Sequence, residues 1–481
     1  TTRFAMRHLF AILLVATALA SLVGEAWCNP ERPNFLIIVT DDQACGTLGA
    51  YGDAVIDTPN LDRLAEEGMT FDAARHMGAW SAAVCTPSRH MIMTGRSVWR
   101  IPGTPAVDQP MPPNMAWHSL PAVFNRAGYD TFRTCKVGNS YTGANAEFQT
   151  QHAATKRGGL PATGSAWHAR QVLSYLDDRE ATADSDPWLI YLGFSHPHDE
   201  RDGPPELLAK YGAVSPGPPD EVNASAPPLP VNYLQKHPFP HGHPELRDEV
   251  AVPGVDRRHD EAAIRNELGK QAACIEAIDT QVGRVLDRLR EAGELETTYV
   301  FFTSDHGIAV GSHGLMGKQN LYDHSWRVPL IVRGPGVPAG VRSDALVYLG
   351  ELMPTVCDLA DIKAPDTVEL PSYAPVLLEE RDDHHAVQYG VYSGGTKPGI
   401  RAVTDGRWKL VEWDVLDGTV RETQLFDLEA NPHELLDGPD PRQHDLAEDP
   451  IYAAQRQRLE ALLAEECERW GDPYPLSPSR Q

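Results

Sequence analysis

Cysteine is scarce in this chain. Seven occur in 481 residues, at Cys28, Cys45, Cys85, Cys135, Cys274, Cys357 and Cys467, and they follow no metal-finger or knot spacing, which argues against a zinc ribbon or a disulfide framework. Basic residues are also short, with 42 Lys and Arg against 67 Asp and Glu and a formal charge of -25. Affinity for a phosphate backbone comes from basic surface, so no nucleic-acid partner is expected, and the cations that meet any anionic ligand must be gathered locally. Long apolar runs are missing too. The opening TTRFAMRHLFAILLVATALASLVGEAWC has a basic start and an apolar stretch from Leu9 to Val23, short of the ~20 residues that cross a bilayer. It reads as a secretory signal over residues 1–28, with small residues for cleavage at Ala18-Leu19-Ala20 and at Ala26-Trp27-Cys28. Export, to the periplasm or outside the cell, is expected, and a stable membrane span is not. No internal repeat is visible, and no stretch is poor enough in apolar residues to stay disordered.

What is present points to an α/β protein. NFLIIVT (Asn34 to Thr40), WLIYLGF (Trp188 to Phe194), TYVFFTS (Thr298 to Ser304) and Pro329 to Val332 read as buried strands. Before the third, Leu268, Ala272, Ile275, Ile278, Val282, Val285 and Leu289 recur at helical spacing, and Gly293 stops the pattern. Helix, glycine stop and buried strand predict a largely parallel sheet flanked by helices. Gly203 to Pro253, rich in Pro, His and Gly, lacks periodicity and reads as a surface insertion. After about Ala364 short strand-like runs (Gly399 to Val403, Arg407 to Trp413, Thr423 to Leu428) and an amphipathic segment, Tyr452 to Trp470, predict a small C-terminal antiparallel sheet with one helix. The expected division is a catalytic domain over 33–364 and a C-terminal subdomain over 365–481.

The chemistry concentrates where strands end. Asp41-Asp42 closes one strand and Asp305-His306 another, and in open α/β sheets ligands bind beyond the carboxyl ends of the strands. Either pair alone reads as a strand-end cap. Together, three carboxylates in one crevice repel one another unless a cation sits among them, and carboxylate oxygens suit Ca²⁺ or Mg²⁺. Cys45, Cys274 and Cys357 read as small buried hydrophobes. Cys85 differs, because it stands in VCTPSRHMIMTGR.

The run Cys85-Thr86-Pro87-Ser88-Arg89, with Thr94-Gly95-Arg96 after it, resembles the signature of the type I sulfatases, in which the cysteine is oxidised to formylglycine. NFLIIVTDD, GAYG…TPNLDRLAEEGMTF, SDHG, GSHGLMGK and RVPLIVRGPG are similar to family segments in the same order from about residue 33 to 340. The resemblance implies an alkaline-phosphatase-like fold and a sulfuric ester hydrolase. It implies one Ca²⁺ held by Asp41, Asp42, Asp305, His306 and the modified Cys85, and a formylglycine-generating enzyme as maturation partner. Arg89 would position the nucleophile or a metal ligand, Lys136 would contact a sulfate oxygen, Lys318 would lie near the ester oxygen, and His198 would give a proton to the leaving oxygen. His198 is favoured over His196 by its match to the family's Pro-His.

The chemistry of a thiolate supports the modification, because sulfate bound to sulfur has no easy way off. In an aldehyde hydrate one hydroxyl attacks sulfur, and the other expels sulfate as the aldehyde re-forms. Two positions depart from the family. Asn139 stands where many relatives carry a histidine; it can hydrogen-bond the hydrate but cannot take its proton. Cys135 stands where glycine is usual. Arg201, just after His198, is the expected contact to a sulfated saccharide substrate, or else an ion-pair partner of Asp199 and Glu200. His90, His313 and His324 read as core or loop histidines. The competing functions are a phosphonate or phosphodiester hydrolase of the same superfamily and an inactive binder of sulfated glycans.

Overall fold

A computed structural model describes residues 32–106, 111–154, 164–215, 217–242, 259–395, 397–474 and 476. The expected signal over 1–28, with Cys28, and residues 243–253 of the expected insertion lie outside the described residues. The strands are β1 (Asn34–Asp41), β2 (Met69–Phe71), β3 (Ala74–Arg75), β4 (Gly78–Ala79), β5 (Asp130–Lys136), β6 (Thr150–Ala154), β7 (Trp188–Pro197), β8 (Thr298–Ser304), β9 (Leu330–Arg333), β10 (Val341–Ser343), β11 (Val347–Tyr348), β12 (Gln388–Tyr392), β13 (Gly399–Thr404), β14 (Trp408–Val415) and β15 (Val420–Asp427). The helices that matter below are α1 (Pro59–Glu66), α2 (Cys85–Thr94), α3 (Ser165–Thr182), α4 (Glu261–Glu291) and α5 (Ala453–Trp470).

The main sheet runs β10-β2-β9-β8-β1-β7-β5-β6. It is parallel except at β9, which lies antiparallel to both β8 and β2. Strands buried on both faces need apolar residues throughout, and β1 shows why its sequence is a continuous apolar run. Leu36 and Ile38 face one core with Ile190, Val300 and Phe302, packed under α1, α3 and α4. Phe35, Ile37 and Val39 face the opposite core with Leu189 and Phe301. The period of two divides one strand between two cores.

Helix α4 begins earlier than its apolar spacing suggests, because the Asp260 side chain caps it by accepting from the Ala263 N–H at 3.0 Å. Ala272, Ile275, Ile278, Val282, Val285 and Leu289 are buried as expected, and Leu268 is half-buried. The same helix fixes α1: Asp279 accepts from Asn60 N at 3.0 Å, Leu61 N at 2.8 Å and Asn60 Nδ2 at 2.7 Å. A carboxylate there satisfies N–H groups that the first turn of α1 cannot satisfy itself.

The small sheet, β15-β14-β13-β12-β4, is antiparallel within its C-terminal strands, and α5 packs on β13 and β14. Its last member comes from the other end of the chain. β4 pairs parallel with β12, Gly78 opposite Val391 and Ala79 opposite Tyr392. Gly78 has φ 96°, and a Cβ there would lie 1.8 Å from the Val391 carbonyl oxygen, so only glycine fits the crossing. A buried ionic group ties β3, which pairs with β11 in a two-stranded sheet of its own, to the small sheet: Asp323 accepts from Arg75 Nη2 at 2.9 Å and from Lys409 Nζ at 2.8 Å.

Burial has an electrostatic consequence. It pushes the imidazoles of His76, His168 and His313 down to about 3, and that of His324 well below its usual range. An unfolded histidine takes its proton near pH 6.5, so between that pH and about 3 the unfolded chain binds protons that the folded chain refuses. Stability therefore rises with pH across this window, each imidazole contributing at most about 1.4 kcal/mol per pH unit. Urea unfolding is expected to show a midpoint that falls continuously from pH 6.5 to pH 5; a midpoint constant over that range would contradict the burial of these rings.

Candidate active site

Four neighbouring strands, β8, β1, β7 and β5, deliver the site at their carboxyl ends. Asp41 ends β1, Lys136 ends β5, His198 follows β7, and Asp305-His306 follows β8. Successive residues of a strand point to opposite faces, so two consecutive carboxylates would normally diverge. Here Asp42 turns into the left-handed region with φ 67°, and Asp41 and Asp42 are both 0% exposed. A non-glycine residue in that region is uncommon and marks a place where tertiary contacts dictate the backbone.

Cys85 opens α2, at the positive end of the helix. Its Sγ lies 3.5 Å from Asp41 Oδ1, 3.2 Å from His306 Nε2 and 3.3 Å from Lys318 Nζ. One turn along the same helix, Arg89 donates from Nε to Asp305 Oδ2 at 2.9 Å, and its Nη2 lies 3.8 Å from Asp41 Oδ2. Its Nη1 reaches Cys135 Sγ at 3.0 Å and Tyr191 Oη at 3.3 Å. The hydroxyl of Ser88 donates to the Asp305 carbonyl at 2.5 Å. Lys136 pairs with Asp41, and Lys318 Nζ donates to Asp42 Oδ1 at 2.8 Å.

These cations set the charge states. Burial alone would raise the Asp41 carboxyl, but Lys136, Arg89, His198 and Lys318 outweigh it and hold the group well below the usual carboxylate range. Asp42 is lowered likewise, burial being outweighed by His198, Lys318 and His306. Burial lowers His198 to about 4 although Asp42 pulls the other way. Its Nδ1 lies 2.7 Å from the Asp199 carbonyl, so Nδ1 carries the proton and Nε2 faces Asp42 Oδ2 at 3.7 Å. Burial pushes the Cys85 thiol well above its usual range.

The donor set fits a divalent cation. His306 Nδ1 donates to the Gly307 carbonyl at 2.8 Å, which leaves Nε2 facing Asp42 Oδ1 at 3.4 Å and Asp305 Oδ1 at 3.5 Å. Carboxylate oxygens converging on one nitrogen repel one another, and a cation between them relieves that repulsion. Ligand atoms of Asp41, Cys85, Asp305 and His306 all lie within 4.8 Å of one another, as do those of Asp41, Asp42, Cys85 and His198.

Other expected residues fall elsewhere. His196 turns to Asp202, Nε2 to Oδ1 at 3.1 Å, so it is His198 that joins the cluster. Asn139 is half-buried in the turn after β5 with φ 51°, and no hydrogen bond joins it to the cluster among the described residues. Arg201 is buried, 1% exposed in its side chain, and its Nη1 donates to Glu267 Oε2 at 3.2 Å. It is neither a surface group nor a partner of Glu200. Cys45, Cys274 and Cys357 are buried. His90 bonds the Thr86 carbonyl and stacks on Tyr141, and His313 stacks on Tyr322. Tyr191, Ser88 and Glu267 escaped the sequence reading. Glu267 left a trace there, since it and Lys270 interrupt the apolar run of α4 at buried positions.

Arg89 is the test of this electrostatic frame. Replacing it with Ala strands buried Asp305 and weakens the compensation of Asp41, and loss of about 3–5 kcal/mol of stability is expected. Arg89→Lys keeps the charge but loses the fork to Cys135 and Tyr191, so its melting temperature should fall between those of wild type and Arg89→Ala. Equal melting temperatures for all three proteins would refute the frame.

Two family descriptions match the chain: Sulfatase, over residues 33–362, and N-sulphoglucosamine sulphohydrolase, C-terminal, over residues 311–465. The chain is 22% identical to N-acetylglucosamine-6-O-sulfatase of Bacteroides thetaiotaomicron over 96% of this chain and 91% of that protein. It is 27% identical to choline-sulfatase of Rhizobium meliloti over 91% of this chain and 87% of that one. Among solved structures, a protein in complex with its substrate D-glucosamine-2-N,6-O-disulfate superposes with a TM-score of 0.71 at 19% identity, covering 92% of this chain and 99% of that one. The first match takes in every member of the buried cluster, from Asp41 to Lys318, and the chain belongs to the sulfatase family, a sulfuric ester hydrolase.

Proposed function

We propose that the chain hydrolyses the sulfate ester of a carbohydrate, with Cys85 converted to formylglycine and one Ca²⁺ held by Asp41, Asp42, Asp305, His306 and the converted residue. The observation that carries the reading is the seat of Cys85, a helix N-terminus within 3.5 Å of Asp41, His306 and Lys318. A thiol whose pKa burial has raised keeps its proton and is a poor nucleophile, which supports conversion by a formylglycine-generating enzyme. The oxygen-rich donor set favours Ca²⁺ over zinc. When bound, the cation neutralises the carboxylates and polarises an oxygen placed on it.

The remaining work falls to side chains already in place. Lys136 and Lys318, anchored on Asp41 and Asp42, set two ammonium groups beside Cys85 to receive sulfate oxygens. His198, its ring fixed by the Asp199 carbonyl, hands a proton from Nε2 to the leaving oxygen. With Nδ1 already protonated, the ring donates there only as imidazolium, and a bound anion favours that charged form. Arg89 positions Asp305 and does not touch substrate. Among the described residues Arg201 Nε and Nη2 have no acceptor, which supports its use on an anionic group of the saccharide. The apolar N-terminal stretch supports export, and no described helix is long and apolar enough to cross a membrane.

Active protein is expected to yield a Cys85 peptide lighter by about 18 Da than the thiol form, the change when a thiol carbon becomes an aldehyde. Full activity with only unmodified cysteine would refute the conversion. Sulfate release across a panel of glucosamine 6-sulfate, other sulfated saccharides, choline sulfate, an aryl sulfate and a phosphonate monoester tests the substrate class. A saccharide should give the highest kcat/KM, and a choline, aryl or phosphonate ester in first place would overturn the carbohydrate reading. On the best saccharide, His198→Gln should lower kcat by about 10²–10⁴ but have little effect on an activated aryl sulfate. Arg201→Ala should cost that saccharide about 1.5–3 kcal/mol, roughly tenfold to a hundredfold in kcat/KM.

A further inference from the structure

A second group of ligand atoms gathers outside the Cys85 cluster. Glu351 is 0% exposed, and the side chains of His384 and His385 are 3% and 8% exposed. His384 Nε2 lies 3.0 Å from Glu351 Oε2, and His385 Nε2 meets Oε1 of the same carboxylate. The three donor atoms lie within 4.8 Å of one another. A backbone N–H, that of Tyr348, also donates to Oε2 at 2.9 Å. Among the described residues no Lys or Arg forms an ion pair with Glu351. A carboxylate so deeply buried is costly unless a positive charge compensates it.

We infer that Glu351, His384 and His385 hold a structural divalent cation of the zinc class, distinct from the cation proposed at the active site. Two imidazoles and one carboxylate form a borderline donor set, unlike the oxygen-rich set around Asp41. Bonds of about 2.0–2.1 Å in a tetrahedron separate donors by about 3.3 Å, close to the 3.0 Å between His384 and Glu351. The two histidines line a cleft of about 840 Å³ whose wall carries seven carboxylates, Asp344, Asp382 and Asp383 among them, against three arginines, Arg75, Arg327 and Arg407. Those carboxylates draw a cation inward, and the cleft supplies water for the fourth position. The placement assigns a purpose. Glu351 stands at the start of the helix Leu352–Leu359, in the N-terminal body, while His384 and His385 lead directly into β12 of the small sheet. Their junction is already marked by a bridge between Leu346 and His385. An ion here staples the entry of the small sheet to the main body.

The test uses the full chain, stripped with a chelator, reloaded with Zn²⁺ in the presence of excess Ca²⁺, and freed of loose metal. Elemental analysis should find on the order of one zinc per chain in wild type and in Asp42→Asn, and none in the His384→Ala/His385→Ala double variant. Zn²⁺ should raise the melting temperature of the first two proteins alone. Co²⁺ loaded into wild type should give the visible absorption of a tetrahedral N/O site, a readout that does not depend on any variant folding. Wild type that retains no zinc, a double variant that retains as much as wild type, or Co²⁺ with only an octahedral spectrum would each overturn the assignment.

Discussion

Three carboxylates closed off from water at one sheet edge set the terms for everything near them. Asp41, Asp42 and Asp305 are all fully buried, and none can remain ionised without a positive neighbour. Lys136, Lys318 and Arg89 supply those neighbours from a strand end, a loop and the first turns of α2. A chain that is strongly acidic overall thus gathers its cations at one point. Each of these charges depends on the others, because removing one strands a partner in a medium of low dielectric. Order in four adjacent strands, in α2 and in the segment carrying Lys318 follows from satisfying this one set of charges.

The parts of this arrangement that were legible in the sequence are those in which local pattern and tertiary role agree. The strands before Asp41-Asp42 and Asp305-His306 are continuous apolar runs because both faces of the sheet are covered. The strand over Thr298–Ser304 has the bounds its sequence suggested. Where residues serve a partner far along the chain, the pattern fades. β5, DTFRTCK, carries Arg133 and Lys136 inside the core, and so looks too polar for a buried strand. β12 includes Gly390, whose missing side chain makes room for Trp326, and a glycine inside a strand weakens the signal. β4 is two residues long and has no pattern to read.

The site shows the same division. Asp41, Asp42, Asp305, His306 and Cys85 announce themselves by sitting at strand ends or in a distinctive motif. The partners that hold Arg89 and Arg201, namely Tyr191 and Glu267, are known only once distant segments are brought together. Arg201 reads in the sequence as a saccharide contact or else a partner of its acidic neighbours Asp199 and Glu200, whereas the carboxylate it pairs with lies on α4, 66 residues on. Buried ion pairs of this kind appear again between β3 and the small sheet, where Asp323 joins Arg75 to Lys409.

The crossing of β4 into the small sheet also sets a clock. The segment that leads into Cys85 reaches its final pairing only when Val391 and Tyr392 exist to receive Gly78 and Ala79. Roughly 300 residues of synthesis separate the two, which at about 5–20 residues per second is roughly 15 to 60 s. During that interval the edge of β4 has no neighbour, and the chain around the thiol has not closed. In the folded chain the Cys85 side chain is buried. A large modifying partner therefore meets this sulfur more readily before the fold closes than after it.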